Sequence, residues 1–199
     1  MAISPRILAM AGSARKQSLN RKLLALAVAR ATQAGASVTT VNLGDLQLPV
    51  YGADLESEQG IPNEVRTLRN AISESDGLII ASPEHNGSVT VLLKNALDWC
   101  SRPLDGQDGL MPFRGKPVAM FAASPSPFGG IRSLSHLRGI LAKMGALPLA
   151  DEVLVPLATK VFDEQGQLTG PMTDGLIEAL CRNLVELARK VARPHPASA

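Results

Sequence analysis

Ser13, Arg15, Ser18 and Asn20 stand within one short stretch, Gly12-Ser13-Ala14-Arg15-Lys16-Gln17-Ser18-Leu19-Asn20. All four side chains can donate hydrogen bonds, and one anion could accept them together. An apolar run at 7–10 leads in and a helix-forming run at 19–34 leads out. Strand, tight loop and helix in that order place backbone N–H groups at the positive end of a helix, where a phosphate can sit. A plain capped β–α turn has the same outline, so the loop alone leaves both readings open.

Two more polar turns follow apolar runs. Pro83-Glu84-His85-Asn86-Gly87-Ser88 comes after the run at 78–80. Gly87 lets the backbone be approached, Asn86 and Ser88 add side chains, and Glu84 and His85 stand where the strand ends. Such a turn suits the edge of a flat heterocycle. The third turn, 124–130, carries Ser124, Ser126, Phe128, Gly129 and Gly130 and could pack on the other side of the same ring. A phosphate at one end and a planar ring at the other describe a mononucleotide, and flavin mononucleotide (FMN) fits best.

These turns need a frame. Apolar, β-favouring runs predict strands at 6–10, 37–43, 76–82 and 117–123, with a fifth inside 147–155. Helical periodicity predicts helices at 19–34, 65–73, 89–101, 131–144 and 173–191, with Ser88 and Thr173 as N-caps. Polar stretches at 44–62 and 102–116 read as long loops, and 161–170 as a turn-rich connection. Alternation of this kind predicts an α/β fold. Its doubly wound five-stranded parallel sheet would have order 2-1-3-4-5, with helices on both faces. The switch point then lies between strands one and three, and the three polar turns converge there. We expect one domain over 1–199, with its core at about 6–192 and the Pro-His-Pro tail disordered.

Composition narrows the class. The 199 residues are 45% hydrophobic and 19% charged, with a net charge of +2. No long basic run suggests nucleic acid, and no apolar window is long enough to span a membrane. No signal-peptide core precedes the first strand. Cys100 and Cys181 fall inside predicted helices, as buried thiols of a cytoplasmic protein would. His136 and His195 stand alone, so no metal site is expected. No Ser-His-Asp order or nucleophile elbow is visible, and no catalytic side chain is assigned.

The chain resembles the NADPH-dependent FMN reductases. Residues 12–20 match that family's phosphate signature G-S-x-R-x-x-S-x-N. Residues 83–88 and Leu-Lys-Asn-Ala-Leu-Asp-Trp at 93–99 match P-E-Y-N-x-S followed by L-K-N-A-I-D-W. Phe-Gly-Gly-Ile-Arg at 128–132 resembles its glycine-pair motif. The resemblance runs from residue 6 to about 155. It implies a flavodoxin-like fold, non-covalent FMN, and NADPH or NADH as co-substrate. It also implies reduction of flavin, quinone, azo or metal-oxyanion acceptors.

Position by position, the resemblance implies that Ser13, Arg15, Ser18 and Asn20 hold the phosphate. Pro83, Glu84, His85, Asn86, Gly87 and Ser88 would line the ring edge, with Ser124 and Gly129 approaching from the third turn. His85 departs from the family's tyrosine. Donor and acceptor taking turns at one flavin predict ping-pong kinetics, with the chemistry carried by the cofactor. A non-enzymatic flavin carrier or regulator is the alternative, and free flavin as a mere substrate is a third. The resemblance also implies a homodimer, or a homotetramer. Trp99, Leu104, Leu110, Met111 and Phe113 are the apolar residues we expect at that interface.

Overall fold

A computed structural model describes residues 4–163 and 165–192. The tail at 193–199, expected to be disordered, lies outside the described residues. The parallel sheet runs β2 (Ser37–Asn42), β1 (Arg6–Ala11), β3 (Gly77–Ala81), β4 (Pro117–Ala123), then β5 (Leu147–Pro148), and β6 (Val153–Val155) also pairs with β4. The expected order therefore holds. β3 and β4 are buried along their whole length, as strands covered on both faces must be.

Alternation along β1 feeds two cores. Ile7, Ala9 and Ala11 face the layer of α1 (Leu19–Gln33) and α7 (Pro171–Val191). Leu8 and Met10 face the layer of α3 (Asn63–Glu74), α4 (Val91–Cys100) and α5 (Ile131–Lys143). The α1 face is lined by Leu23, Leu24, Ala27 and Ala31, whose small alanines let the helix lie close to the sheet.

Several boundaries differ from the sequence reading. The stretch 44–62 is not all loop: a 3₁₀ turn (Leu43–Leu46) and α2 (Ala53–Gln59) lie in or next to it. α2 buries no residue and has no apolar stripe, so periodicity could not reveal it; Asp54 and Glu56 favour its first turn. α4 is capped by Thr90, not Ser88: Thr90 Oγ1 accepts from the Leu93 N–H at 3.2 Å. α7 starts at Pro171 behind Gly170, not at Thr173, with proline in the first turn, where its missing N–H costs nothing.

The fifth strand is split. Pro117 pairs with Leu147, a separation of 147 − 117 = 30, but Phe121 pairs with Val153, a separation of 153 − 121 = 32. Two extra residues bulge out between β5 and β6. The Arg138 guanidinium fills the gap, donating to Leu149 O at 2.6 Å, Ala150 O at 3.3 Å and Glu152 Oε2 at 2.8 Å. After β6 a short α6 (Ala158–Val161) leads toward α7.

The apolar residues expected at an interface mostly turn inward. Trp99 and Phe113 are 0% exposed and Leu104 is buried; Leu110 also packs on the core, half-buried. Trp99 is therefore core, and the 102–116 loop offers no broad apolar face.

Candidate functional site

The loop from Gly12 to Ser18 leaves β1 at the carboxyl edge of the sheet. Gly12 sits in a tight space: a Cβ there would lie 3.1 Å from Thr90 Oγ1 and 3.2 Å from both Leu93 Cβ and Ser82 Oγ. Its N–H donates to Ala81 O at 2.9 Å and its carbonyl accepts from Thr90 Oγ1 at 2.8 Å. Thr90 thus caps α4 and binds the first loop to the second. The sequence reading passed it over because Ser88 offered the same capping chemistry two residues earlier.

Beyond Gly12 the backbone N–H groups of Ser13, Ala14, Lys16 and Gln17 form no hydrogen bond within the described residues. Ser18 caps α1, its Oγ accepting from the Arg21 N–H at 3.3 Å, with its hydroxyl proton still to give. Ser13 Oγ lies 3.4 Å from the Arg15 N–H, and the Arg15 side chain is exposed. Unpaired backbone donors, two hydroxyls, a guanidinium and a helix N-terminus make a set rich in donors. That is the composition an anion requires.

Asn20 has a different job from its three neighbours. It is 2% exposed, its Nδ2 donates to Ala123 O at 2.8 Å and its Oδ1 accepts from the Ala123 N–H at 2.9 Å. The carboxamide extends the ladder at the end of β4 and straps the first turn of α1 to the start of the third loop.

The second turn is a tight hairpin. His85 and Ser88 exchange N–H···O bonds, both at 3.0 Å, and Asn86 and Gly87 take φ of 51° and 78°. An Asn-Gly pair with both φ positive closes a two-residue hairpin of the I′ kind. His85 and Asn86 are exposed, and among the described residues the His85 side chain has no hydrogen-bond partner.

Three residues of α5 hold this hairpin. Ser133, 0% exposed, donates within reach of Ser82 Oγ at 3.2 Å and Pro83 O at 3.1 Å. His136 Nδ1 lies 3.0 Å from Ser88 Oγ. The Glu84 carboxylate takes the Arg132 N–H at 3.1 Å and Arg132 Nε at 2.6 Å. Glu84 thereby caps a helix whose own N-cap, Gly130, has no side chain. Burial alone would push the Glu84 carboxyl up. The Arg132 guanidinium and the N–H groups of Arg132 and Ser133 outweigh it and hold the group below the usual carboxylate range.

In the third turn Ser124 Oγ and Ser126 Oγ lie 3.1 Å apart, and the Ser124 N–H donates to Val155 O at 3.1 Å. Gly129 is buried; a Cβ there would come within 3.1 Å of Leu154 Cβ and 3.2 Å of Pro156 N, so this glycine backs onto the fifth strand. Phe128 is 61% exposed, with Arg132 Cζ 5.3 Å from its ring centroid.

Within the 93–99 motif, Leu93 packs beside Gly12, while Asn95 and Trp99 bind the 49–51 segment. Asn95 Oδ1 accepts the Tyr51 N–H at 2.8 Å and its Nδ2 donates to Pro49 O at 2.9 Å. Trp99 Nε1 donates to the same carbonyl at 2.8 Å, its ring set edge-on to Tyr51 at 5.0 Å. Arg102 Nε and the Tyr51 hydroxyl both reach Glu56 Oε2, at 2.8 and 3.0 Å. Burial pushes the thiols of Cys100 and Cys181 up to about 12, so neither is a nucleophile. No group of three or more metal-ligating side chains stands together among the described residues.

A parallel sheet of order 2-1-3-4-5, with backbone donors unpaired among the described residues at its switch point, defines a flavodoxin-like α/β protein. The flavoenzyme NAD(P)H:(acceptor) oxidoreductase of Paracoccus denitrificans superposes with a TM-score of 0.76 at 26% identity, over 94% of this chain and 98% of that one. The sequence profile of the NADPH-dependent FMN reductases matches residues 5–160, and the chain belongs to that family. An NAD(P)H-dependent FMN reductase of Pseudomonas aeruginosa is 35% identical over 174 residues, 87% of this chain and 89% of the relative. A quinone reductase of Escherichia coli is 36% identical over 143 residues, 71% and 72% of the two chains. A 2-hydroxy-1,4-benzoquinone reductase of a Burkholderia species is 38% identical over 137, covering 69% and 70%. This chain is therefore an FMN- and NAD(P)H-dependent oxidoreductase.

Proposed function

We propose that this enzyme moves electrons from NAD(P)H through FMN to quinones and to flavin, azo or metal-oxyanion acceptors, in ping-pong order. The observation that carries the reading is the nest of unpaired donors at 13–18, set beside the 83–88 hairpin and the 124–130 turn at one switch point. Ser13, Arg15 and Ser18 would take the phosphate. Pro83, His85, Asn86, Gly87 and Ser88 would present backbone and side-chain groups to the ring edge, with Ser124 on the other side. Asn20, Glu84 and Gly129 would act behind them, as strap, brace and packing surface. FMN supplies hydride acceptance and electron release; the chain's residues bind, orient and exclude water. Quinone-reducing relatives at 36% and 38% identity support quinones as one acceptor class.

The test is a purified protein that is yellow and releases FMN on denaturation, followed by initial rates with NAD(P)H and a quinone. Parallel double-reciprocal lines are expected. Intersecting lines sink the single-site mechanism, and a colourless protein makes free flavin the substrate. No NAD(P)H oxidation with any acceptor leaves an electron carrier.

A homodimer fits a second observation. A groove of about 810 Å³ between α4 and α5 is lined by Val50, Val89, Val91 and Ile140, with Lys94, Asp98 and Lys143 beside them. Val50 is 75% and Val91 74% exposed. Charges of both signs on one apolar face suit a two-fold contact with a second copy. Light scattering should give a dimer, or a tetramer built from it, and Val91→Arg should give a monomer. No described helix is long and apolar enough to cross a membrane, and two buried free thiols fit a reducing cytoplasm.

A further inference from the structure

Glu84 and Arg132 form a charge pair whose place in the fold gives it more to do than brace a turn. Glu84 belongs to the hairpin after β3, and Arg132 opens the helix after the third turn. The pair therefore spans the two loops that flank the flavin ring in the reading above, on which this inference rests. The Glu84 side chain is only 9% exposed, so its charge is incompletely screened by solvent, whereas Arg132 is 56% exposed and its charge is screened more. Arg132 meets it through both the backbone N–H and the guanidinium, while the same guanidinium lies over Phe128 of the third turn. Neither charge has another opposite partner among the described residues. The pair is balanced, and removing one member leaves a single charge between the loops.

We propose that the Glu84–Arg132 pair sets the redox poise of the bound flavin, keeping the net charge beside the ring near zero. Reduction puts two electrons on the cofactor, and the reduced form is the more readily anionic. A lone cation nearby favours it and a lone carboxylate opposes it. Glu84→Gln, close in shape but uncharged, strands the Arg132 cation and raises the midpoint potential. Arg132→Gln strands the carboxylate and lowers it, and this shift should be the larger of the two because Glu84 is the less screened charge. A simple loss of bracing would loosen the hairpin in both variants and could not move the potential in opposite directions.

The experiment is a spectroscopic titration of the FMN-loaded wild type and variants against a reference dye, at FMN concentrations that saturate each. Each single variant should change the ratio of affinities for oxidised and reduced FMN by roughly three- to tenfold, in opposite senses. Tenfold corresponds to about 30 mV for a two-electron couple. Arg132→Lys keeps the charge and should stay near the wild-type potential, as should the neutral double variant Glu84→Gln/Arg132→Gln. Shifts of the same sign, or two singles at the wild-type potential, overturn the proposal. So does a Glu84→Gln protein that folds but no longer holds FMN, which would make the pair a strut. A wild type that binds no FMN overturns the flavin-site reading itself.

Discussion

The 13–18 loop and the 95–102 stretch, from α4 to just past its end, are both rich in polar side chains, and the first lies in, and the second begins in, a motif shared with the family. In the structure they behave in opposite ways. Asn95, Trp99 and Arg102 give their hydrogen bonds to residues 49–56 of the same chain. Ser13, Ala14, Lys16 and Gln17 leave their backbone donors without a partner among the described residues. A motif can thus mark either a clasp that closes on itself or a cradle that waits for something else. What separates them is whether the polar atoms are satisfied.

The sharpest way to break this contrast is at the clasp. Trp99→Ala removes a 0%-exposed side chain and its hydrogen bond to Pro49 O. It should cost about 3–5 kcal/mol in urea unfolding, with FMN affinity of the folded fraction close to wild type. A large loss of FMN affinity without loss of stability would put Trp99 on the cradle's side. Asn20→Ala should come next. It strands the N–H and carbonyl of Ala123, so the apoprotein should lose about 2–3 kcal/mol, and FMN binding should weaken with it. Unchanged apoprotein stability would return Asn20 to the phosphate.

Arg15→Ala should do the reverse of Trp99→Ala. The side chain is exposed, so thermal unfolding of the apoprotein should not move, while FMN binding by fluorescence titration should weaken by about 1–2 kcal/mol. Equal affinity in the variant argues against the anion nest. A smaller effect concerns acid. Glu84 is held ionised in the folded state, its pKa lowered by Arg132 and the α5 N–H groups against the cost of burial. Its contribution is therefore present above the carboxyl's unfolded pKa and lost as pH falls through the lower folded value. Glu84→Gln should flatten the acid limb of apoprotein stability and leave the neutral-to-alkaline limb parallel to wild type. The smallest expected change on binding is His85→Tyr, because that side chain is exposed and has no hydrogen-bond partner among the described residues. FMN should stay bound, with only the relative kcat/KM of quinone and flavin acceptors altered.

What was legible in the sequence was local. An apolar run, Gly12, Ser13 and a helical run announce the first loop, and Asn86-Gly87 announces a turn, whose closure as a hairpin with two positive φ angles the structure adds. Alternation of strands and helices gave the sheet order. The missed features are contacts at long range or elements without an apolar face. The strap from Asn20, expected as a phosphate donor, went unseen because its partner Ala123 lies 103 residues away. His136 looked isolated because Ser88 is 48 residues distant. Trp99 looked available for an interface because the segment that covers it, around Pro49 and Tyr51, read as open loop. α2 had no buried stripe to show, and the two-residue bulge between β5 and β6 has no periodicity at all.

The Asn20–Ala123 strap bears on the order in which the chain can fold. β4 must already lie in register beside β3 before Ala123 is in place to receive the carboxamide. Closing so distant a contact is entropically costly, and parallel pairing makes early formation rarer still. The 13–18 loop is therefore expected to set late, on the native side of the folding barrier. A ligand that recognises it has nothing to grip in the transition state. Bound FMN should lengthen the lifetime of the folded protein by slowing unfolding, and leave the refolding rate nearly unchanged.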